Sequence, residues 1–123
     1  MKKIFFITIL LFAFNQSKAN LQGDSIKITV PNVFTPNNDG INDTWGIIIT
    51  HGGGLLDIQT TVYNRYGKRV FESTNVHQNW NGINQYEGSL CSDGTYFYVI
   101  TYFDGNANEN KSLKGFLQLF GSK

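Results

Sequence analysis

The densest run of side chains able to do chemistry is Pro36-Asn37-Asn38-Asp39-Gly40-Ile41-Asn42-Asp43-Thr44-Trp45, where carboxylate, amide and hydroxyl oxygens recur at every one or two positions around a glycine. Hard cations bind such oxygens. Calcium takes about six to eight of them at roughly 2.3 to 2.6 Å, and Asn38, Asp39, Asn42, Asp43 and backbone carbonyls form a candidate ligand set in which Gly40 makes the sharp turn. The run is not an EF-hand loop, which has a longer ligand series and a terminal Glu. The same residues also suit a ladder of Asx turns, in which Asp and Asn side chains satisfy nearby backbone N–H groups.

Other chemistry is thinly represented. His51-Gly52-Gly53-Gly54 is similar to the oxyanion-hole stretch of some esterases, but no G-x-S-x-G elbow is present, Ser89 lies outside any such pattern and His77 is the only other histidine. A hydrolase would lack its nucleophile geometry, so no catalytic residue is assigned and no enzyme is expected. Two distant histidines and the sole cysteine, Cys91, do not make a zinc spacing. Cys91 has no partner within the chain and reads as a small apolar residue rather than part of a disulfide framework. Tyr96, Tyr98 and Tyr102 could stack on a sugar if exposed. Their strand lacks the polar alternation of a solvated face, which favours core. Arg65 and Arg69 flank a turn and read as solvated.

The elements that must position these groups are strands. Ile26-Lys27-Ile28-Thr29-Val30 alternates apolar and polar residues, as a strand with one buried face does, and Pro31 ends it. Trp45 to Thr50 forms a short β-branched run closed by Gly52 to Gly54. Ile58 to Tyr66 and Arg69 to Glu72 read as a hairpin with Gly67-Lys68 as a two-residue turn. From Ser73 to Asp93 an Asn- and Gln-rich connection holds Trp80-Asn81-Gly82, with Trp80 as its expected anchor. Asp93-Gly94 turns into Thr95 to Phe103, an uncharged and therefore central strand, and the last strand runs from about Ser112 to Phe120. Six or seven short strands with no convincing helix predict an all-β fold: a small Ig-like antiparallel β-sandwich with Greek-key connections.

Composition agrees. Ten Lys and Arg against nine Asp and Glu give a balance of +1, too weak a field to capture nucleic acid or acidic lipid. Charged residues at 15%, aromatics at 15% and 13 glycines are too apolar for a disordered chain and too rich in turns for a helical bundle. The length of 123 residues allows one domain. Lys2 and Lys3 precede an eleven-residue apolar run, Ile4 to Phe14, and Ser17-Lys18-Ala19 ends in small residues that a signal peptidase reads. Crossing a bilayer takes about 20 residues, so the run is expected to be a cleavable signal peptide, 1–19, and not an anchor. No Cys stands at the new N-terminus for lipid attachment. Residues 20–123 keep seven basic against nine acidic residues, a balance of −2.

Five ordered blocks carry a family resemblance. Pro31 to Trp45, Val62 to Glu72, Trp80-Asn81-Gly82, Asp93 to Ile100 and Lys114-Gly115-Phe116-Leu117 resemble the type B sorting domain of the type IX secretion system, the gliding motility-associated C-terminal domain family. The blocks bring Pro36, Gly40, Trp45, Asn64, Arg65, Gly67, Trp80, Gly82, Asp93, Gly94, Tyr96 and Gly115 forward as structural motif residues. The resemblance implies a non-enzymatic, Ig-like module of exported Bacteroidetes proteins that is read by the type IX secretion machinery, through an outer-membrane protein of the PorP/SprF type. It implies passage through the periplasm to the cell surface or medium, with no cofactor. Three departures are visible. Nothing stands between Ala19 and the module where family members carry cargo, Trp-Asn-Gly replaces Trp-Asp-Gly with no proline before Asp93-Gly94, and the chain closes on Phe120-Gly121-Ser122-Lys123. The competing expectation is a small secreted calcium-stabilised adhesin or glycan-binding sandwich.

Overall fold

Alternation and turn chemistry together resolve the chain into seven strands. The computed structural model describes residues 25–51 and 53–122; the expected signal peptide lies outside them. The strands are β1 (Lys27–Thr29), β2 (Val33–Phe34), β3 (Ile48–His51), β4 (Leu55–Tyr63), β5 (Arg69–Ser73), β6 (Gly94–Asp104) and β7 (Glu109–Leu119). Among the described residues there is no helix. β1 pairs with β3 in a small antiparallel sheet, and the other five strands form a second sheet in the order β2-β7-β6-β4-β5. The all-β expectation holds, and the two sheets fit an Ig-like sandwich.

The purely antiparallel expectation needs correction, because β2 runs parallel to β7, with Val33 beside Gln118 and Phe34 beside Leu119. The cause is Pro31. It has no N–H to extend the pairing with β3, so the chain leaves the small sheet there and reaches the edge of the large one two residues later. A second correction concerns the β4–β5 turn, which spans Asn64–Lys68 rather than two residues. Its builder is Asn64: Oδ1 accepts the N–H groups of Tyr66 and Lys68, both at 3.0 Å, and the Asn64 N–H donates to the Lys68 carbonyl at 2.8 Å. Gly67 supplies the left-handed position, φ 77°. β4 also starts earlier than its β-branched run implies, with a bulge between Leu56 and Gln59 where Asp57 turns to φ 49°.

β6 is central, as its uncharged faces require. It pairs along its whole length with β7, from Gly94 beside Leu119 to Asp104 beside Glu109. Tyr96, Ile100 and Tyr102 point into the core while Phe97 and Thr101 face out. The tyrosine stripe is therefore a core stripe. Ile26, Ile58, Ile100 and Tyr102 form one apolar cluster, with Ile28 of β1 packed against it across the sandwich. The larger cluster gathers around Trp80, whose ring centroid lies 5.2 Å from Phe34, 5.2 Å from Tyr96 and 6.4 Å from Phe71. Trp80 is 1% exposed and its Nε1 donates to the Ile83 carbonyl at 2.8 Å, so the long connection is anchored as expected.

The β6–β7 turn is closed by a buried charge. The Asp104 carboxylate accepts the Lys111 ammonium at 2.8 Å and the N–H groups of Asn106 and Ala107. Hydrogen bonding to Lys111 is the main cause that lowers the Asp104 pKa, and the same bond raises that of Lys111. A carboxyl held below its unfolded value of about 3.9 stabilises the fold above that pH, and the contribution is lost as pH falls through the folded pKa. The raised lysine contributes below its unfolded value of about 10.4 and loses its contribution as pH rises through the folded pKa. Asp104→Asn keeps an acceptor for the two N–H groups but removes the charge. Urea unfolding of the two proteins is expected to differ by a constant amount from about pH 5 to 9, and the gap should close in acid.

Candidate functional site

The loop that carries the candidate calcium ligands folds around one carboxylate. Asp43 Oδ1 accepts the N–H groups of Asn37 at 3.0 Å and Asn38 at 2.7 Å, and Oδ2 accepts that of Gly40 at 2.7 Å. Asp39 Oδ1 accepts the Ile41 N–H, and Asn37 Oδ1 accepts the Asp39 N–H. Three left-handed residues, Asn38, Gly40 and Asn42, turn these amides inward. The structure thus brings Asn38, Asp39, Asn42 and Asp43 into one loop and displays the turn-ladder arrangement, with both Asp43 oxygens facing backbone. Among the described residues no group of three or more His, Cys, Asp and Glu side chains is placed to hold a metal ion. Asp43→Ala removes three amide partners at once and is expected to lower stability by about 1 to 2 kcal/mol, allowing for partial exposure. A scanning-calorimetry pair with calcium and with chelator should show the same loss in both; a loss confined to calcium-loaded protein would assign the oxygens to a metal.

Past this loop five of the motif residues, Pro36, Trp45, Trp80, Gly82 and Gly115, meet at one packed junction. Trp45 and Trp80 exchange backbone hydrogen bonds, N–H to carbonyl, at 2.8 and 2.7 Å, and Trp45 Nε1 donates to the Pro31 carbonyl at 2.7 Å. Two residues on, Gly82 (φ 83°) comes so near Pro36 that a Cβ on it would lie 2.9 Å from Pro36 Cγ and 3.5 Å from Leu119 Cδ1. The Gly82 carbonyl accepts the Cys91 N–H at 2.8 Å, closing the base of the long connection. Gly115 lies under the Tyr98 ring directly across from it, where a Cβ would meet Cζ at 2.7 Å, and that ring packs on Trp45 at 5.4 Å. Each of these family-type residues does a packing or turn job.

Asp93 does one that sequence reasoning missed. Its carboxylate accepts the N–H of Gly121 at 2.8 Å, the N–H of Ser122 at 3.0 Å and the Ser122 hydroxyl at 2.7 Å, so it ties down the segment that follows β7. The Ser122 hydroxyl is the main cause that holds the Asp93 pKa down. Asp-Gly announces a turn, whereas nothing in the local sequence announces a partner 28 residues away.

The remaining candidates stay apart. His51 ends β3 and His77 lies in the long connection, both exposed. Cys91 is buried, which pushes its thiol pKa up, and Tyr96 donates its hydroxyl to the Ser92 carbonyl at 2.7 Å, its own pKa pushed up to about 12 chiefly by burial. Arg65 lies over the Tyr66 ring at 5.0 Å, and Arg69 pairs with Glu72 at 3.0 Å. A hollow of about 600 Å³ opens beside the β4 bulge and is lined by Leu55–Gln59 and Thr74–Val76. Among the described residues no helix is long and apolar enough to cross a membrane.

The class that this fold and these residues define is a small all-β domain whose distinguishing residues build shape. Residues 28–119 match the family described as the CHU_C type IX secretion signal domain, and the chain belongs to that family. The match runs from β1 to the end of β7, and membership implies export to the cell surface or medium. No curated protein matches. Among solved structures, one of PorZ, described as an essential bacterial surface component of the type IX secretion system of Porphyromonas gingivalis, is similar at 17% identity and a TM-score of 0.42. The likeness covers 86% of this chain and 12% of that one.

Proposed function

We propose that this chain is a non-enzymatic sorting module, read in its folded form by the type IX secretion machinery through an outer-membrane protein of the PorP/SprF type. Residues 1–19 serve as a cleavable signal peptide that delivers residues 20–123 to the periplasm, and the module then directs passage to the surface or medium, in connection with gliding motility. The observation that carries this reading is the family match over the entire sandwich, together with the way the motif residues build its frame. A signal that consists of a folded shape needs rigid turns and a fixed junction more than reactive groups. The Pro36–Gly82 contact, the Trp45–Trp80 pairing and the Asp93 clasp supply these.

A secretion assay tests it. The signal peptide, a fluorescent protein able to fold in the periplasm and residues 20–123 are fused and expressed in a gliding bacterium with and without its type IX translocon. Fluorescence at the surface or in the medium of the competent strain, and in the periplasm of the deficient one, is the expected result. Periplasmic retention in both strains would overturn the reading.

A further inference from the structure

The two margins of the five-stranded sheet are finished differently. On the β5 side the edge is capped: the Gln85 N–H donates to the Val70 carbonyl at 2.9 Å, and the Glu72 N–H donates to Gln85 Oε1 at 3.0 Å. Tyr86 adds a hydroxyl bond to Glu72, and Arg69 lies over its ring. On the other side β2 covers only the last two residues of the eleven-residue β7. The Gln118 N–H donates to the Asn32 carbonyl at 2.8 Å and the Phe120 N–H to the Phe34 carbonyl at 3.2 Å, which fixes the direction of the even-numbered amides. With an unbroken antiparallel register to β6, the N–H and C=O groups of Asn110, Ser112, Lys114 and Phe116 point the same way, and no strand or loop among the described residues pairs with them. The gap follows from the shortness of β2: N-terminal to Val33 the chain belongs to the small sheet, where β1 pairs with β3.

An uncovered edge of this length is a template for another strand. Its side chains say which kind. On the outer face Phe116 is 62% exposed and packs against Phe97 with tilted rings whose centroids lie 4.8 Å apart, leaving an apolar pair beside the edge. Two positions along, Lys114 is exposed with no acidic partner within ion-pair distance among the described residues, whereas Lys111 on the inner face is held by Asp104 and Glu109. The row Asn110, Ser112, Lys114, Phe116 carries no acid, so a second copy of this strand would offer Lys114 no counter-charge. We propose that the outer edge of β7 takes up an extended segment of a partner protein by strand addition, the segment placing an apolar residue beside Phe116 and, two positions away on the same face, an acidic residue beside Lys114. This deepens the sorting reading and rests on it for the partner's identity, but the edge can be tested without the secretion machinery.

The probe is a capped peptide, Thr-Val-Thr-Glu-Thr-Val-Thr, symmetric so that either strand direction sets Glu beside Lys114 and Val beside Phe116; its control has Lys for Glu. Amide exchange is followed by NMR on the purified chain. The Glu peptide is expected to slow exchange at Asn110, Ser112, Lys114 and Phe116 while Lys111, Leu113 and Gly115, already bonded to β6, stay unchanged. It should bind about fivefold tighter than the control, the size of one favourable cross-strand pair. Ser112→Pro removes one outward N–H and none of the β6 bonds, so the effect should vanish with the melting temperature little changed; Lys114→Glu, a surface change, should reverse the peptide preference and serves if the proline variant fails to fold. Protection at Val70 and Glu72 instead, none at all, or an unaltered preference in Lys114→Glu would overturn the proposal. In the secretion assay, retention of the folded variants beside export of the parent supports it, and equal export overturns it while the sorting reading stands. If the parent fusion itself is not exported, the sorting reading fails and the peptide measurement alone decides the edge.

Discussion

Trp80→Ala should be the most damaging single truncation in the molecule. Its indole is buried at the hub of Phe34, Phe71 and Tyr96 and is tied to the Ile83 carbonyl. Large-to-small changes at such sites cost about 3 to 5 kcal/mol, against a total of about 5 to 15 for an ordinary domain. The expected signature in urea is a much lower midpoint with an unchanged slope, and in a thermal scan a fall of more than about 12 °C. Tyr86→Ala, which truncates an aromatic of comparable bulk that is 52% exposed in the same connection, should cost far less. Comparable losses from the two would mean that the long connection is not pinned through Trp80.

Gly82→Ala follows, for a different reason. The added Cβ would enter a left-handed residue, which costs about 1 to 2 kcal/mol, and would press on Pro36 Cγ at 2.9 Å, adding about 1 to 3 kcal/mol for overpacking. Pro36→Ala in the same chain relieves the second cost and leaves the first. A double-mutant cycle by urea unfolding should therefore give a coupling of about 1 kcal/mol or more, with the double variant more stable than the two single losses summed. Additive losses would place the whole penalty in the backbone. Gly67, also left-handed but with open space around its missing Cβ, provides the backbone-only comparison.

These two positions show which parts of the fold are legible in the sequence. Period two marks β6 because both its faces are uncharged from Thr95 to Phe103, and a lone large aromatic in an Asn-rich connection points to an anchor by elimination. The β4–β5 hairpin is legible, but its turn length is not, since Asn64 closes the turn with a side-chain oxygen that local propensity ascribes to the strand. β2 is illegible for a simpler reason: two residues between two prolines have no period at all, and only tertiary pairing with β7 makes them a strand. At the candidate site, the Asn37 to Asp43 loop could be recognised as a cluster of oxygens, yet their direction, toward the chain's own amides, depends on three left-handed residues whose φ the sequence does not announce. The Asp93 clasp joins residues 28 positions apart and had no local signal.

The parallel pairing of β2 with β7 also governs the order in which the chain can fold. β7 contributes Leu117 and Leu119 to the core, provides the whole partner of β6 on one side, and is the one strand neighbour of β2 among the described residues. A chain emerging from a ribosome or a pore with its N-terminus first presents β7 last. Until that strand arrives, β2 has nothing to pair with and the central strand lacks half its ladder, so the loop-closure cost of joining the two ends of the module is met in a single late step. The consequence is a built-in delay: the large sheet cannot be completed until β7 is available to both β6 and β2.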